Sequence, residues 1–273
     1  MKAKIIGIIG YGNMGSAIGG QLKSKYQIRA FDKDKNKTEN LSGIDISDNV
    51  VDLVKGADVI VLAAKPQDFD ALLSEIKQCI KGKLVISIAA GISTGYIENQ
   101  LGDISVIRAM PNLPAKISKG IIALSKGSYS HDADLDFVRG LFNCLGETML
   151  IEEGLMNAVT AVSGSGPGYL YYLIQDKDEH EQLDYANKEF IPALSLSARE
   201  IGFNPEQAQS LASRTAQGSI ALLKETGLSP QELCAQVTSK GGTTEAGLNV
   251  LQSEGTLSLA VKAALKRAGE LSR

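Results

Sequence analysis

Two rhythms of hydrophobic and polar positions run along this chain, and the change between them comes once. In the first half, short uncharged runs rich in Ile, Val and Leu alternate with stretches whose apolar residues recur every three or four positions. Such runs, without polar alternation, mark strands buried on both faces of a parallel sheet, and the longer spacing marks amphipathic helices. Ile5–Ile9, Tyr26–Phe31, Ala57–Ala63, Leu84–Ile88 and Ser105–Met110 therefore predict strands. Met14, Ala17, Ile18 and Leu22 predict a helix after the first strand, and Phe69, Leu72, Leu73 and Ile76 another. Gly120–Leu124 and Thr148–Ile151 read as two further strands, separated by a helix from near Asp132 to Leu145. From Leu155 onward only helical spacing remains, as in Ala208, Leu211, Ala212 and Thr215, or Leu257, Ala260, Val261 and Leu265. Breaks fall at Gly202–Pro205, Gly227–Pro230 and Gly241–Gly242. A helical region of roughly 120 residues has a thin core, which docking or dimerisation would help to cover.

Between the first strand and its helix lies Gly10-Tyr-Gly12-Asn13-Met14-Gly15. A glycine-rich turn opening a helix brings backbone N–H groups against a phosphate, and the helix dipole favours the negative charge. Three glycines in six residues are weak evidence alone, but here the required strand, helix and second strand all follow. The second strand ends in Asp32, 22 residues after Gly10, where a ribose-binding acid is expected. The pattern predicts an α/β fold: a Rossmann-type doubly wound sheet over residues 1–152, then an all-α domain over 153–273. Asp32 would accept from the ribose 2′-hydroxyl of NAD, whereas Lys33 or Lys35 would pair with the 2′-phosphate of NADP. These signals conflict, so NADPH and NADH both stay open.

Ligands of open α/β sheets bind outside the carboxyl ends of the strands. Three successive strand ends carry small, polar or proline-marked loops: Ala63-Ala-Lys65-Pro66, Ala89-Ala-Gly-Ile-Ser93 and Met110-Pro-Asn112. Lys65 is placed to meet a cofactor or substrate, or else is a solvated loop residue, and Ser93 is a candidate N-cap. Two more loops fall in the helical part. Val162-Ser-Gly-Ser-Gly-Pro-Gly-Tyr169 is a small-residue turn in which Ser163 or Ser165 would cap a helix and Pro167 would lie in its first turn. Thr238-Ser239-Lys-Gly241-Gly242-Thr243-Thr244 offers hydroxyls and backbone N–H groups without bulk, which suits a small substrate carrying a carboxylate. A plain helix–helix turn needs one or two glycines but not this many hydroxyls.

Composition excludes several classes. Net charge is −3, which gives no argument for nucleic acid or an anionic membrane surface. No stretch approaches the roughly 18 apolar residues of a membrane span, and no leader pattern opens the chain, so a cytoplasmic location is expected. Cys79, Cys144 and Cys234 are far apart and lack a Cys-x-x-Cys, so they read as buried thiols, with no metal site. His131 and His180 lie in polar, exposed-looking surroundings, against a Ser-His-Asp triad.

Six stretches in order resemble the pyrroline-5-carboxylate reductase family: Ile8–Gly15, Ala64–Gln67, Ser87–Ser93, Arg108–Asn112, Ala161–Tyr169 and Val237–Leu248. The last, Val237-Thr-Ser-Lys-Gly-Gly-Thr-Thr-Glu-Ala-Gly-Leu248, is the most specific. There are departures. Lys240 stands where the family usually has Pro, and Glu245 where it has an aliphatic residue. Pro192 replaces an acidic residue, and a charged segment of about 15 residues, 175–189, interrupts a helix that runs unbroken in the family. That segment reads as an exposed surface insertion.

The resemblance implies NAD(P)H-dependent reduction of the C=N bond of 1-pyrroline-5-carboxylate to L-proline, the last step of proline synthesis. It implies Gly10, Gly12, Asn13, Met14 and Gly15 at the pyrophosphate, Ala63, Lys65 and Pro66 beside the cofactor, and Ala89 and Asn112 near the nicotinamide. Thr244 would contact the ring nitrogen as the catalytic hydroxyl, with Ser239 and the backbone of Gly241, Gly242 and Thr243 on the carboxylate. The helical domain implies a homodimer or higher homo-oligomer, with an active site completed by helices of two subunits. Three other readings remain: a reductase of a related cyclic imine, a non-catalytic nucleotide-binding relative, and a β-hydroxyacid dehydrogenase. That last family relies on a second-domain lysine, for which Lys188 is the candidate.

Overall fold

The computed structural model describes residues 4–273. Eight strands form one sheet: β1 (Ile5–Ile9), β2 (Gln27–Phe31), β3 (Asp45–Ile46), β4 (Val59–Leu62), β5 (Leu84–Ser87), β6 (Ser105–Met110), β7 (Gly120–Lys126) and β8 (Gly146–Leu150). Their order is β3-β2-β1-β4-β5-β6-β7-β8. The pairs from β3 to β6 are all parallel, with Ile9 opposite Phe31 on one side and Leu62 on the other. The chain winds outward from β1 to β3 and then restarts at β4 on the other side of β1. The carboxyl ends of β1 and β4 therefore flank the point where winding reverses, the usual ligand crevice of such sheets.

The helices here are α1 (Asn13–Leu22), α2 (Val50–Gly56), α3 (Phe69–Ile76), α4 (Thr94–Leu101) and α5 (Asp132–Phe142). Ser93 caps α4 as expected, accepting from Tyr96 N–H at 3.1 Å. Two elements escape the hydrophobic pattern. β3 is two residues long with both exposed, and α2 is a seven-residue helix capped by Asn49. Neither is long enough to establish a period. Beneath the sheet, Ile60, Leu62, Leu73, Ile76, Val85 and Ile97 are fully buried in one apolar cluster with Leu53 and Phe69.

Contacts divide the chain into two compact units, one formed by the chain up to Ala109 with Leu124–Cys144 and Arg273, the other by Met110–Ala123 and Leu145–Ser272. Arg273 sorts with the first because its N–H donates to the Gly91 carbonyl at 2.7 Å and its guanidinium pairs with Asp70 at 2.6 Å. The segment 110–123 sorts with the second because Leu113, Ile121 and Ala123 are buried in the helical core.

That second unit contains α6 (Met156–Val159), α7 (Gly166–Ile174), α8 (Glu179–Tyr185), α9 (Ile191–Glu200), α10 (Pro205–Thr226), α11 (Pro230–Val237), α12 (Thr243–Gln252) and α13 (Leu257–Leu271). No strand follows β8 among the described residues. One expectation holds in part. Ser165 stands at the N-cap position of α7 and Pro167 in its first turn, but neither Ser163 nor Ser165 caps the helix with its hydroxyl, because the stretch before α7 is itself helical: a π-turn, Thr160–Gly164, joins α6 to α7. Ser165 N–H reaches back to the Thr160 carbonyl at 2.9 Å, and the Ser163 hydroxyl donates to the Val159 carbonyl. The charged segment does interrupt the helix, since α7 ends at Ile174. It is not a loop, however. A capping box at Asp178 starts α8, and a second π-turn, Ala186–Phe190, carries it into α9. α8 has no buried residue, whereas Ala186 and Phe190 turn inward.

Two helical glycines should respond oppositely to alanine. A methyl at Gly140 in α5 meets nothing within 4 Å, so Gly140→Ala should gain about 0.5–1 kcal/mol from helix propensity. At Gly218 in α10 the methyl would come within 2.4 Å of the Lys119 carbonyl oxygen and 2.9 Å of Pro114. Gly218→Ala should therefore lose roughly 1–3 kcal/mol despite the same propensity gain. Chemical denaturation of both variants checks the pair; equal shifts would contradict the packing described.

Candidate active site

The first half of the site is built from backbone. Gly10 ends β1 with φ +94°, and a methyl on it would lie 2.5 Å from the Ala63 carbonyl oxygen. A methyl on Gly15 would lie 2.0 Å from the Gly10 carbonyl oxygen. Both glycines are thus required by contact between neighbouring turns. Gly12 differs: nothing stands within 4 Å of where its side chain would project. Gly12 is also the N-cap of α1, with no side-chain cap, so the first-turn N–H groups of Asn13, Met14 and Gly15 face the end of the helix without a hydroxyl or carboxylate partner. Open space above an uncapped helix end is what a pyrophosphate requires. A cleft of about 460 Å³ opens here, lined by Gly10, Gly12, Asp32, Lys33, Ala63 and Lys65 among others. These residues fit a dinucleotide. Pro66 begins a short 3-10 turn beyond Lys65, and Ala89 is buried just past β5.

Asp32 is the electrostatic centre of this cleft. Its carboxylate accepts from Tyr11 N–H at 2.7 Å and from Asp34 N–H at 2.9 Å, with Lys37 Nζ at 3.5 Å. Burial pushes its pKa up, but the two N–H groups and the Lys37 ammonium outweigh burial and hold it below the ordinary 3.8. The stabilisation from these contacts is complete above that ordinary value and is lost as pH falls through the lower folded one. Lys33 is clamped to both oxygens of Asp68 at 2.9 Å. Lys65 is exposed.

The second unit holds a site of different character. Gly241 has φ +70°, and Gly242 is the uncapped N-cap of α12. Gly242 N–H donates to the Ser239 carbonyl at 2.9 Å, and a methyl on Gly242 would strike Ser239 Oγ at 2.3 Å, which keeps that hydroxyl against the helix entrance. Thr244 is 5% exposed, and its hydroxyl donates to Ser165 Oγ at 3.0 Å. Ser165 Oγ is also 3.0 Å from Thr243 Oγ1. The Glu245 carboxylate folds back onto Gly241 N–H at 2.7 Å, so one donor of the expected carboxylate cradle has an internal partner. Arg267 Nε donates to the Gly241 carbonyl at 2.8 Å. Asn112, also of this unit, accepts from Ile121 N–H at 3.0 Å and keeps its buried Nδ2 without a partner.

Ser165, Glu245 and Arg267 are contacts that sequence reasoning did not assign to the site. Of these, Glu245 carried a signal, as a charge where the family has an aliphatic residue. Lys188 is 71% exposed and pairs with Asp184 at 2.7 Å on the surface, away from any cleft residue described. The three cysteines are free and half-buried. Among the described residues, no helix is long and apolar enough to cross a membrane.

The switch-point crevice and the helical second unit place the chain among two-domain nicotinamide-dependent oxidoreductases. Residues 5–91 match the family described as NADP oxidoreductase, coenzyme F420-dependent, and residues 188–271 match pyrroline-5-carboxylate reductase dimerisation. A pyrroline-5-carboxylate reductase of Aquifex aeolicus is 35% identical, over 92% of this chain and 89% of that protein. One of Methanosarcina acetivorans is 33% identical, over 100% and 98%. The solved structure of a Plasmodium falciparum pyrroline carboxylate reductase with NADP bound superposes with a TM-score of 0.66 at 25% identity, covering both chains fully. The chain belongs to the pyrroline-5-carboxylate reductase family. Its cofactor is NADPH or NADH.

The open position at Gly12 yields a test that separates folding from binding. Gly12→Ala should leave the melting temperature within about 2 °C, since the methyl meets no protein atom. The same methyl enters the phosphate space and should weaken nucleotide binding at least about tenfold. Fluorescence titration with NADH and NADPH measures this, and unchanged affinity would mean that phosphate does not sit at this helix end.

Proposed function

We propose that this chain reduces 1-pyrroline-5-carboxylate to L-proline with NAD(P)H. The carrying observation is the buried Thr244 hydroxyl in the first turn of an uncapped helix, beside the small-residue entrance formed by Ser239, Gly241 and Gly242. That arrangement suits a small ring carrying a carboxylate and one polar ring atom. The first-turn N–H groups of α12 and the Ser239 hydroxyl receive the carboxylate, which competes with Glu245 for Gly241 N–H. Thr244 meets the ring nitrogen. When bound, the reduced nicotinamide supplies the hydride.

A cyclic imine is basic enough to be protonated near neutral pH, so the protein needs no strong acid at the nitrogen. Its contribution is positioning: two fixed ends of the substrate leave the imine carbon one orientation. Asn112, whose buried Nδ2 has no hydrogen-bond partner, is proposed on the nicotinamide side by the family resemblance alone. Gly10, Gly12, Asn13, Met14 and Gly15 hold the pyrophosphate, and Ala63, Lys65, Pro66 and Ala89 border the rest of the nucleotide.

Asp32 argues for NADH as the preferred donor. Its ionised carboxylate accepts from a ribose hydroxyl, while a 2′-phosphate at about 4 Å would be repelled by roughly 4 kcal/mol at a surface-like dielectric. Of the nearby cations, Lys33 and Lys37 are engaged by Asp68 and by Asp32 itself. The match to a dimerisation family over residues 188–271 supports a homodimer, as do Leu196 and Leu259, more than half exposed on α9 and α13. A cytoplasmic location accords with the composition.

Purified protein mixed with 1-pyrroline-5-carboxylate should bleach the nicotinamide absorbance, faster with NADH than with NADPH. Asp32→Ser should raise NADPH use relative to NADH by about tenfold or more. Thr244→Val should lower turnover about tenfold to a hundredfold without loss of nucleotide binding. Full activity in Thr244→Val would remove Thr244 from the reaction, and absence of turnover with either nucleotide would remove the reaction.

A further inference from the structure

The loop after β5, residues 89–93, is tied down by Arg273, two residues past α13. Arg273 N–H donates to the Gly91 carbonyl at 2.7 Å. Its main-chain oxygen accepts from Ser93 N–H at 3.2 Å and from the Ser93 hydroxyl at 2.9 Å. The same Ser93 hydroxyl accepts from Tyr96 N–H as the cap of α4. The side chain of Arg273 adds a second tie. Its guanidinium donates to Asp70 Oδ2 at 2.6 Å, and the Tyr96 hydroxyl donates to Asp70 Oδ1. The Tyr96 hydrogen bond and the Arg273 guanidinium hold the Asp70 carboxyl below its ordinary value, so the pair is charged at neutral pH. One residue thus bridges the loop, the first turn of α4 and the first turn of α3.

The loop turns at Gly91, whose backbone is left-handed at φ +75°. Ala89, Ala90 and Gly91 bring little side chain of their own to fix that turn, and the bond from Arg273 falls on it. The sheet order decides which part of a dinucleotide the loop meets. Asp32 follows β2 on one side of β1, whereas β4 and β5 lie on the other side. A dinucleotide with its pyrophosphate at α1 and its adenine-side ribose at Asp32 therefore runs its second half across the carboxyl ends of β4 and β5. We infer that Arg273 is a positioning residue for the nicotinamide half of the cofactor, holding residues 89–93 in the shape that receives it. This rests on the nucleotide placement proposed above. The ion pair is exposed, with the Arg273 side chain 41% accessible, so the main-chain bridge is the stronger tie. Once the bridge is broken the loop samples other shapes, and apparent affinity falls with the fraction still competent. The adenine half, held on the far side of β1, keeps its contacts.

The test compares NADH with ADP-ribose, which carries a hydroxyl in place of the nicotinamide, by calorimetry on the full chain. Arg273→Ala removes the guanidinium alone. Arg273→Pro removes the N–H as well, and Ser272, already extended at ψ 146°, accommodates a following proline. NADH binding should weaken about twofold in Arg273→Ala and about fivefold in Arg273→Pro, while ADP-ribose binding stays unchanged in both. Arg273→Lys keeps a cation opposite Asp70 and should bind NADH as the unmodified chain does. Equal losses for NADH and ADP-ribose would show a general loss of structure, and unchanged NADH affinity in Arg273→Pro would show that the loop keeps its shape unaided. Either result overturns the inference, as does NADH binding no tighter than ADP-ribose in the unmodified chain. Absence of imine turnover overturns the proposed reaction alone, since these affinities still decide the role of Arg273.

Discussion

Three backbone segments meet at the carboxyl end of β1 more closely than side chains would permit, and the nucleotide half of the molecule is arranged around that contact. Gly10 lies against the Ala63 carbonyl, and Gly15 against the Gly10 carbonyl. The first contact joins the turn after β1 to the turn after β4, across the point where the sheet reverses its winding. The second draws the first turn of α1 down onto β1. Together they aim an uncapped helix end at the crevice and leave Gly12 as the one glycine of the three with open space before it. A phosphate group would supply there what the protein withholds from its own N–H groups.

The helical unit addresses its ligand differently. The nucleotide cleft is governed by ionised groups, with Asp32, Asp68, Lys33 and Lys37 paired among themselves at 2.9–3.5 Å. Thr244 and Thr243 meet the Ser165 hydroxyl, with charge held at the rim by Glu245 and Arg267. A neutral network suits hydride transfer to a protonated ring, because an additional fixed cation would raise the energy of the bound iminium. The π-turn Thr160–Gly164 leads directly into Ser165, whose hydroxyl meets Thr244 at the start of α12 instead of capping α7. Such insertions cost helix regularity and commonly survive where a side chain must be re-aimed.

Much of the nucleotide half was legible in the sequence for a steric reason. Buried parallel strands leave long apolar runs, and the contacts at Gly10 and Gly15 admit no other residue, so strand, glycine turn and Asp32 are written in consecutive stretches. β3 and α2 were not legible, since two exposed residues and a seven-residue helix set no period. The hydroxyls of the second glycine-rich stretch were misread as caps because Ser, Gly and Pro are turn residues by propensity. Packing overrode that propensity and continued the helix through Ser163, fully buried within it. The link from Thr244 to Ser165 spans 79 residues and depends on how α7 and α12 pack, which no local pattern encodes.

Glu245 bears on how the substrate end of the site stands before a ligand arrives. The start of α12 has N–H groups without a side-chain cap, and leaving such donors unsatisfied is costly when water is excluded. The chain meets part of this need internally, with the Glu245 carboxylate on Gly241 N–H. In the reaction proposed above a carboxylate is also what the substrate would bring here, so Glu245 would hold the loop in a shape close to the one a bound acid requires. Gly241 allows this because its left-handed backbone points the N–H back into the first helical turn. Glu245 is half-buried at the mouth, so water can receive it once displaced, at a cost of about one exposed hydrogen bond. On that proposal, order at this helix end and weak competition with the substrate would have the same origin, and neither could be removed from this chain without loss of the other.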